Sequence, residues 1–268
     1  MDLDPGLAAL RPLGGFSILH ASQHSSRHAS QPPPPRPLPS LAHAYARRHG
    51  NAAPAVRDEE REDPVAFRVR KVAAALRAPE IRVAASVAHQ GLAARLWSVA
   101  LGCAALYGGV PDLAPRLLHW DPDAAVPDDL WLTEVRPLPG DVGTLAEVVL
   151  DGHLAPLTAA LHARYRVATG LLWGNAASAL AGAGRELERW ARRHDRVDTA
   201  ARARSLTAGL LAQPLLATTG TLTDTGFRRR SCCLYYRVPG SGVCGDCCFP
   251  HPPRSPQPRR SSPGAPSG

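Results

Sequence analysis

Five of the six cysteines of this 268-residue chain fall within the eighteen residues 231–248; the sixth, Cys103, stands far upstream. The pattern is Cys232-Cys233, ten residues, then Cys244-x-x-Cys247, with Cys248 directly after. Random placement does not gather cysteines in this way, so the segment has a chemical task. The ten-residue span holds Pro239, Gly240 and Gly242, which let the chain turn and bring the two pairs together. Gly245 leaves the inside of the second pair without a side chain, which suits a tight loop around a metal.

Thiolates bind metals or pair with each other. Four converging thiolates suit zinc or a 2Fe–2S cluster. Zinc sites build each half from cysteines two to four residues apart, whereas consecutive side chains such as Cys232 and Cys233 point apart. A two-iron cluster is larger and tolerates the adjacent pair better than one zinc ion does. A disulfide cluster needs an oxidising compartment. No secretory signal supports one: Asp2 and Asp4 open the chain and no apolar stretch follows. Four ligands saturate either metal site, which leaves Cys248 as a bystander thiol.

Arg229-Arg230-Ser231 before the first pair, the spacing Cys-Cys-x10-Cys-x-x-Cys, and Cys244-Gly245-Asp246-Cys247 at its close together resemble the FhuF-like ferric siderophore reductases. The resemblance extends more loosely over about residues 65–250. It includes 90–97 (QGLAARLW) and 172–180 (LWGNAASAL), which are similar to segments of relatives. It implies a 2Fe–2S cluster held by Cys232, Cys233, Cys244 and Cys247. It also implies a ferric siderophore, of hydroxamate type, as electron acceptor, with release of Fe(II) in the cytoplasm. The competing readings are a non-catalytic 2Fe–2S redox sensor and a zinc-stabilised binding module.

Hydrophobic residues make up 44% of the chain and aromatics only 5%, with alanine and leucine abundant, which favours a helical core. The expected fold is mainly α, an α+β arrangement with a small sheet or hairpin, its helical body carrying a C-terminal iron–sulfur lobe. The net charge is +8, almost all from arginine, since Lys71 is the one lysine. No helix-turn-helix signature, RNP pattern or zinc-finger spacing points to nucleic acid, whereas an acidic protein such as a ferredoxin suits the charge. The longest apolar run, residues 96–110, falls short of the ~20 residues of a spanning helix and reads as a buried helix. The protein is therefore expected to be cytoplasmic; peripheral membrane contact is compatible with this reading. No phosphate loop and no dinucleotide fingerprint is present. A one-electron centre in such a chain draws on an external donor protein, a ferredoxin or a reductase.

The organisation read along the chain is a Pro/Ser/His-rich disordered tail over 1–60, a helical domain over 61–225, the cluster motif over 226–250 and a second disordered tail over 251–268. His20, His24 and His28 share a face only if the first tail is helical, and its proline tract speaks against that. Asp63 and Pro64 suit the cap and first position of a helix that Pro79 stops. Further helices are expected over 80–107, 155–166 and 171–193, and in a last one capped by Asp198 and ending before Pro214. Residues 117–120 and 130–135 read as short strands of one hairpin; 144–149 is ambiguous, and 218–224 reads as loop. Cys103 and His89 read as core residues, and Asn175 as part of a small-residue packing face. Arg228, Arg229, Arg230 and Arg237 lie close to the cysteines. Of these, Arg229, Arg230 and Arg237 are candidates for tuning a cluster or docking a partner, with a solvated basic loop as the plain alternative. Tyr235 and Tyr236 could shield the cluster and otherwise pack.

Overall fold

The computed structural model describes residues 7, 10–21, 37–46, 63–126, 128–223 and 226–253. The fold is mainly α, with sheets of only two or three strands. After the short α1 (Leu41–Tyr45) comes α2 (Pro64–Leu76). Asp63 caps α2 as expected: its Oδ1 accepts the Ala66 N–H at 2.9 Å, and Pro64 fills the first turn. The helix ends as Arg77 turns left-handed, two residues before Pro79.

The central element is α3 (Ile81–Tyr107), which stops at Gly108, itself at φ 71°. Residues 96–105 of α3 are buried apart from the half-buried Ser98, so the long apolar run is a core helix. Among the described residues, no helix is long and apolar enough to cross a membrane. Cys103 lies fully inside α3, where burial pushes its thiol up to about 12. Against α3 packs α6 (Thr169–Arg193), and α7 (Val197–Leu211) packs on both. A Cβ on Gly184 would come within 2.3 Å of Thr207 Oγ1, so glycine there is what lets α7 approach α6 this closely. Glu188 and Arg192 form the expected four-apart pair at 2.7 Å. Asp198 does not cap α7. Arg196 holds that position without a side-chain bond, and Asp198 sits in the first turn, where the helix dipole favours a carboxylate.

The ambiguous stretch is helical. Between α4 (Val142–Leu145) and α5 (Ala155–Tyr165) the chain continues through a π-helical segment, Ala146–Leu154, whose end is marked by the Ala155 N–H bonding to Leu150 O. The wider turn carries His153 into the core. There its Nε2 lies 2.6 Å from Leu113 O and its Nδ1 lies 3.0 Å from Tyr45 Oη. The carbonyl must accept from Nε2–H, so Nδ1 accepts the Tyr45 hydroxyl.

The expected hairpin is present as β3 (Leu118–Trp120) antiparallel to β4 (Leu130–Leu132). Two further pairs had no clear signal: β2 (Gly109–Pro111) with β5 (Pro137–Pro139), and β6 (Gly220–Thr223) with β7 (Gly226–Arg229). The second of these corrects the loop expected over 218–224, which is largely strand. A second difference concerns the N-terminal sixty residues, read from composition as a structureless tail. Within them β1 (His20–Ala21) pairs parallel to β4, and Leu7, Leu10, Leu19 and Leu41 are buried in the core. A buried ion pair explains the attachment. Arg95 on α3 donates to Asp129 Oδ1 at 2.8 Å, and its other nitrogens bond to the carbonyls of Phe16 and Ile18. His20 lies against Asp128 and Trp131; His24, His28 and the proline tract lie outside the described residues.

Breaking the buried Arg95 network leaves the Asp129 carboxylate unpaired in the core. Arg95→Met is therefore expected to cost about 3–5 kcal/mol in urea unfolding and to expose residues 10–21 to protease. The two core histidines set a pH window. Burial lowers His89 to about 3 and His153 to about 4, below the ordinary histidine value of 6.5. The unfolded chain then binds protons that the folded one excludes, so stability should be full above about pH 6.5 and fall progressively toward pH 4. His89→Phe should flatten that decline in acid unfolding curves.

Candidate iron–sulfur site

Alternation along β7 sends Phe227 and Arg229 inward and Arg228 outward, and Arg230, just past the strand, is exposed. Arg229 is only 2% exposed, and its guanidinium enters the seam between α3 and α6. Nη2 donates to Asn175 Oδ1 and to Leu171 O, and Nη1 donates to Gln90 Oε1 at 3.4 Å. The amide of Asn175 is oriented by its other end, where Nδ2 donates to the carbonyl and the hydroxyl of Ser86, each at 2.9 Å. Ser86 Oγ in turn donates to Cys233 O at 2.8 Å. One hydrogen-bonded line thus runs from the first cysteine pair through α3 and α6 to the strand that delivers that pair.

The second pair is tied to α6. Asp246, between Cys244 and Cys247, accepts from Ser178 Oγ at 2.6 Å and from Arg185 Nη2 at 3.2 Å. Its carbonyl accepts the Arg229 N–H at 3.0 Å. The small face of α6 makes room: a Cβ on Gly174 would lie 2.5 Å from Ser231 Oγ and 3.3 Å from Arg229 Nη2. What packs against Gly174 is therefore the cysteine lobe. Asn175, expected to pack, is a buried hydrogen-bonding hub.

All six cysteines are free thiols. Cys233 and Cys247 are buried, while Cys232, Cys244 and Cys248 are half-exposed. Cys233 Sγ and Cys244 Sγ stand 3.4 Å apart, near the ~3.8 Å that separates two thiolates on one tetrahedral metal with ~2.3 Å bonds. Backbone N–H groups of Leu234 and Phe249 point at Cys232 Sγ and Cys247 Sγ, at 3.2 and 3.4 Å. The first of these depends on Leu234 standing left-handed at φ 68°. Hydrogen bonds from the Cys232 and Cys244 thiols hold Cys233 well below the ordinary thiol range, with Arg229 adding to the effect. The same sharing pushes Cys232 and Cys244 up. Among the described residues, no three His, Cys, Asp or Glu side chains surround a point as ligands of a single ion. A two-iron cluster asks for two thiolates on each of two metals, a looser requirement.

The test of fit is Arg229. Its hydrogen-bond acceptors are all uncharged, its Nε is buried without a partner, and Asp246, whose carbonyl takes the Arg229 N–H, has its carboxylate engaged by Ser178 and Arg185. A buried cation placed in this way fits an anionic group among the thiols. The other candidate arginines separate. Arg230 is exposed, whereas Arg237 pairs with Glu80 at the start of α3 and lies 5.7 Å from the Tyr236 ring centre. Tyr236 also meets Phe249 edge to face at 6.0 Å, a packing role. Reading the sequence missed Ser86, Ser178 and Asp246; the one signal for them is an aspartate enclosed by two cysteines. Asp246→Ala should lower the metal recovered with the protein by half or more, and Asp246→Asn, which still accepts from Ser178, by less; metal analysis checks both.

Residues 229–249 match a family model described as the FhuF 2Fe-2S C-terminal domain. Residues 89–230, more than half of the chain, match one described as ferric iron reductase FhuF-like transporter. No curated protein matches the chain. The match over 229–249 makes the metal centre a 2Fe–2S cluster, in place of the zinc and disulfide alternatives. With its helical body and its cysteine lobe both accounted for, the chain belongs to the FhuF-like ferric iron reductase family.

Proposed function

We propose that the protein is a ferric siderophore reductase in which Cys232, Cys233, Cys244 and Cys247 hold the 2Fe–2S cluster. Membership of the family supports iron–sulfur ferric reduction in general. The observation that carries the specific reading is the buried Arg229, anchored to Asn175 and close enough for its charge to act on Cys233 and Cys244. The cluster, when bound, supplies a centre that takes up and passes on one electron at a time. Arg229 offsets the negative charge that four thiolates bring, and the N–H groups of Leu234 and Phe249 share that task. The Ser86 and Asp246 ties fix both halves of the motif to rigid helices.

The substrate is an Fe(III)-siderophore of hydroxamate type. Hydroxamate oxygens are hard donors that hold Fe(III) far better than Fe(II), so one added electron loosens the chelate. In the balanced step one cluster loses one electron and one Fe(III) becomes Fe(II). The chain need not bond the iron: the half-exposed Cys232 and Cys244 mark the edge at which the chelate approaches. A groove of about 250 Å³ lies between residues 13–17 and the α3–α6 seam, and none of its lining residues belongs to the cysteine lobe. The donor is an external one-electron protein, and release of Fe(II) is placed in the cytoplasm.

Protein purified without oxygen should be red-brown. Once reduced, it should release about one Fe(II) per cluster from a ferric hydroxamate, read with a coloured Fe(II) chelator. Intact, reduced clusters that leave every ferric siderophore untouched would falsify the assignment. Cys232→Ser, Cys233→Ser, Cys244→Ser and Cys247→Ser should each remove most of the visible absorbance, whereas Cys103→Ala should keep it.

A further inference from the structure

The end of β7 carries charge that the cluster does not use. Arg228 on the strand and Arg230 just past it are both exposed, on either side of the inward Arg229. Arg228 Nη2 donates to Cys248 O at 3.3 Å, which sets it at the rim of the thiol group. The Arg230 side chain has no partner among the described residues, and its position directly precedes Ser231 and Cys232. Asp246 is the one acidic residue between 226 and 249, and it is turned inward on to Ser178 and Arg185. Among the described residues of 226–249, the charge exposed beside the half-exposed thiols is therefore positive. Phe249, 36% exposed and braced edge to face by Tyr236, adds an apolar contact beside it.

We infer that Arg228, Arg230 and Phe249 form the docking face for an acidic one-electron donor protein, whose carboxylates meet the two guanidinium groups beside the cluster edge. This rests on the cluster reading above. Charge decides between donor and chelate. Three hydroxamate anions on Fe(III) give an uncharged core, which an arginine pair does not attract. An acidic protein surface gains both attraction and steering from it. The exposed aromatic gives the encounter an anchor that salt does not screen. On docking, the donor's reduced centre loses one electron and the oxidised cluster gains it; no bond forms and no proton need move.

The test follows cluster reduction alone, by stopped-flow absorbance, with a pre-reduced acidic [2Fe–2S] ferredoxin as probe. No ferric chelate is present, so a wrong substrate assignment leaves this assay unaffected. The second-order rate should fall ~10-fold or more between low and ~0.3 M salt. Arg228→Glu with Arg230→Glu should lower the low-salt rate by ~10-fold or more and flatten its salt dependence. Arg228→Lys with Arg230→Lys should stay near the parent rate. Phe249→Ala should slow the reaction without changing the salt slope. The visible spectrum and the rate with a small uncharged reductant should not change in any of these variants. A parent rate indifferent to salt and to charge reversal overturns the inference. So does an equal loss with the small reductant in both the Glu and the Lys pairs, which would make the two arginines structural. Charge reversal that slows only the oxidation of the reduced cluster by an anionic ferric chelate also overturns it, by giving the rim to the acceptor.

Discussion

A guanidinium group out of water is costly unless its N–H groups are bonded and its charge is answered. Arg229 meets the first condition with neutral oxygens: the amide of Asn175, the side chain of Gln90 and the carbonyl of Leu171. The second would be met by a cluster on the four cysteines proposed as its ligands. One residue thereby joins two requirements, closing the helical seam and placing a fixed positive charge beside a cluster that becomes more negative on reduction. A cation held in low dielectric favours the reduced state more strongly than a solvated one could. A lysine here would lack the planar fork that engages Asn175, Gln90 and Leu171 together.

The helices are shaped around that contact. On α6 a turn of small residues, from Gly174 to Ser178, leaves space where a larger face would hold the lobe away. Ser86 and Ser178 are the two buried hydroxyls that reach from α3 and α6 into the lobe, one to each cysteine pair. Hydroxyls suit this position because each can donate to the lobe while its helix keeps its own backbone bonds. The lobe has little apolar burial of its own, with Phe227 and Val238 as its main contributions. Its position therefore depends on these polar ties and on the metal. The Glu80–Arg237 pair adds a tie at the start of α3, exposed enough that screening leaves it a small contribution.

The same division between inner and outer charge separates the tasks of the arginine run. Consecutive residues on a strand face opposite ways, so Arg228 and Arg229 cannot serve one purpose. Arg229 is buried on the side of the proposed cluster, whereas Arg228, and Arg230 just past the strand, are exposed to solvent. Asp246 is turned inside the lobe, with its charge taken up by Arg185, away from that exposed side.

Much was legible in the chain as written. The cap at Asp63, the ends of α2 and α3, the β3–β4 hairpin, the core position of Cys103 and the cysteine spacing are local signals, each set by a few neighbouring residues. The buried leucines and the short β1 in the N-terminal segment were not legible. Two-residue strands carry no periodicity, and what draws the segment in is Arg95, more than seventy residues away. The roles of Ser178 and Ser86, and the partners of Asp246, were hidden for the same reason: a hydroxyl or a carboxylate shows its function only once a distant partner is beside it. Sequence alone showed where the thiols gather and which long stretches become helix, because spacing and periodicity are properties of the chain. Only the tertiary structure decided which arginine goes inside and what holds the two cysteine pairs, because burial and hydrogen-bond partnership arise between segments that the chain keeps far apart.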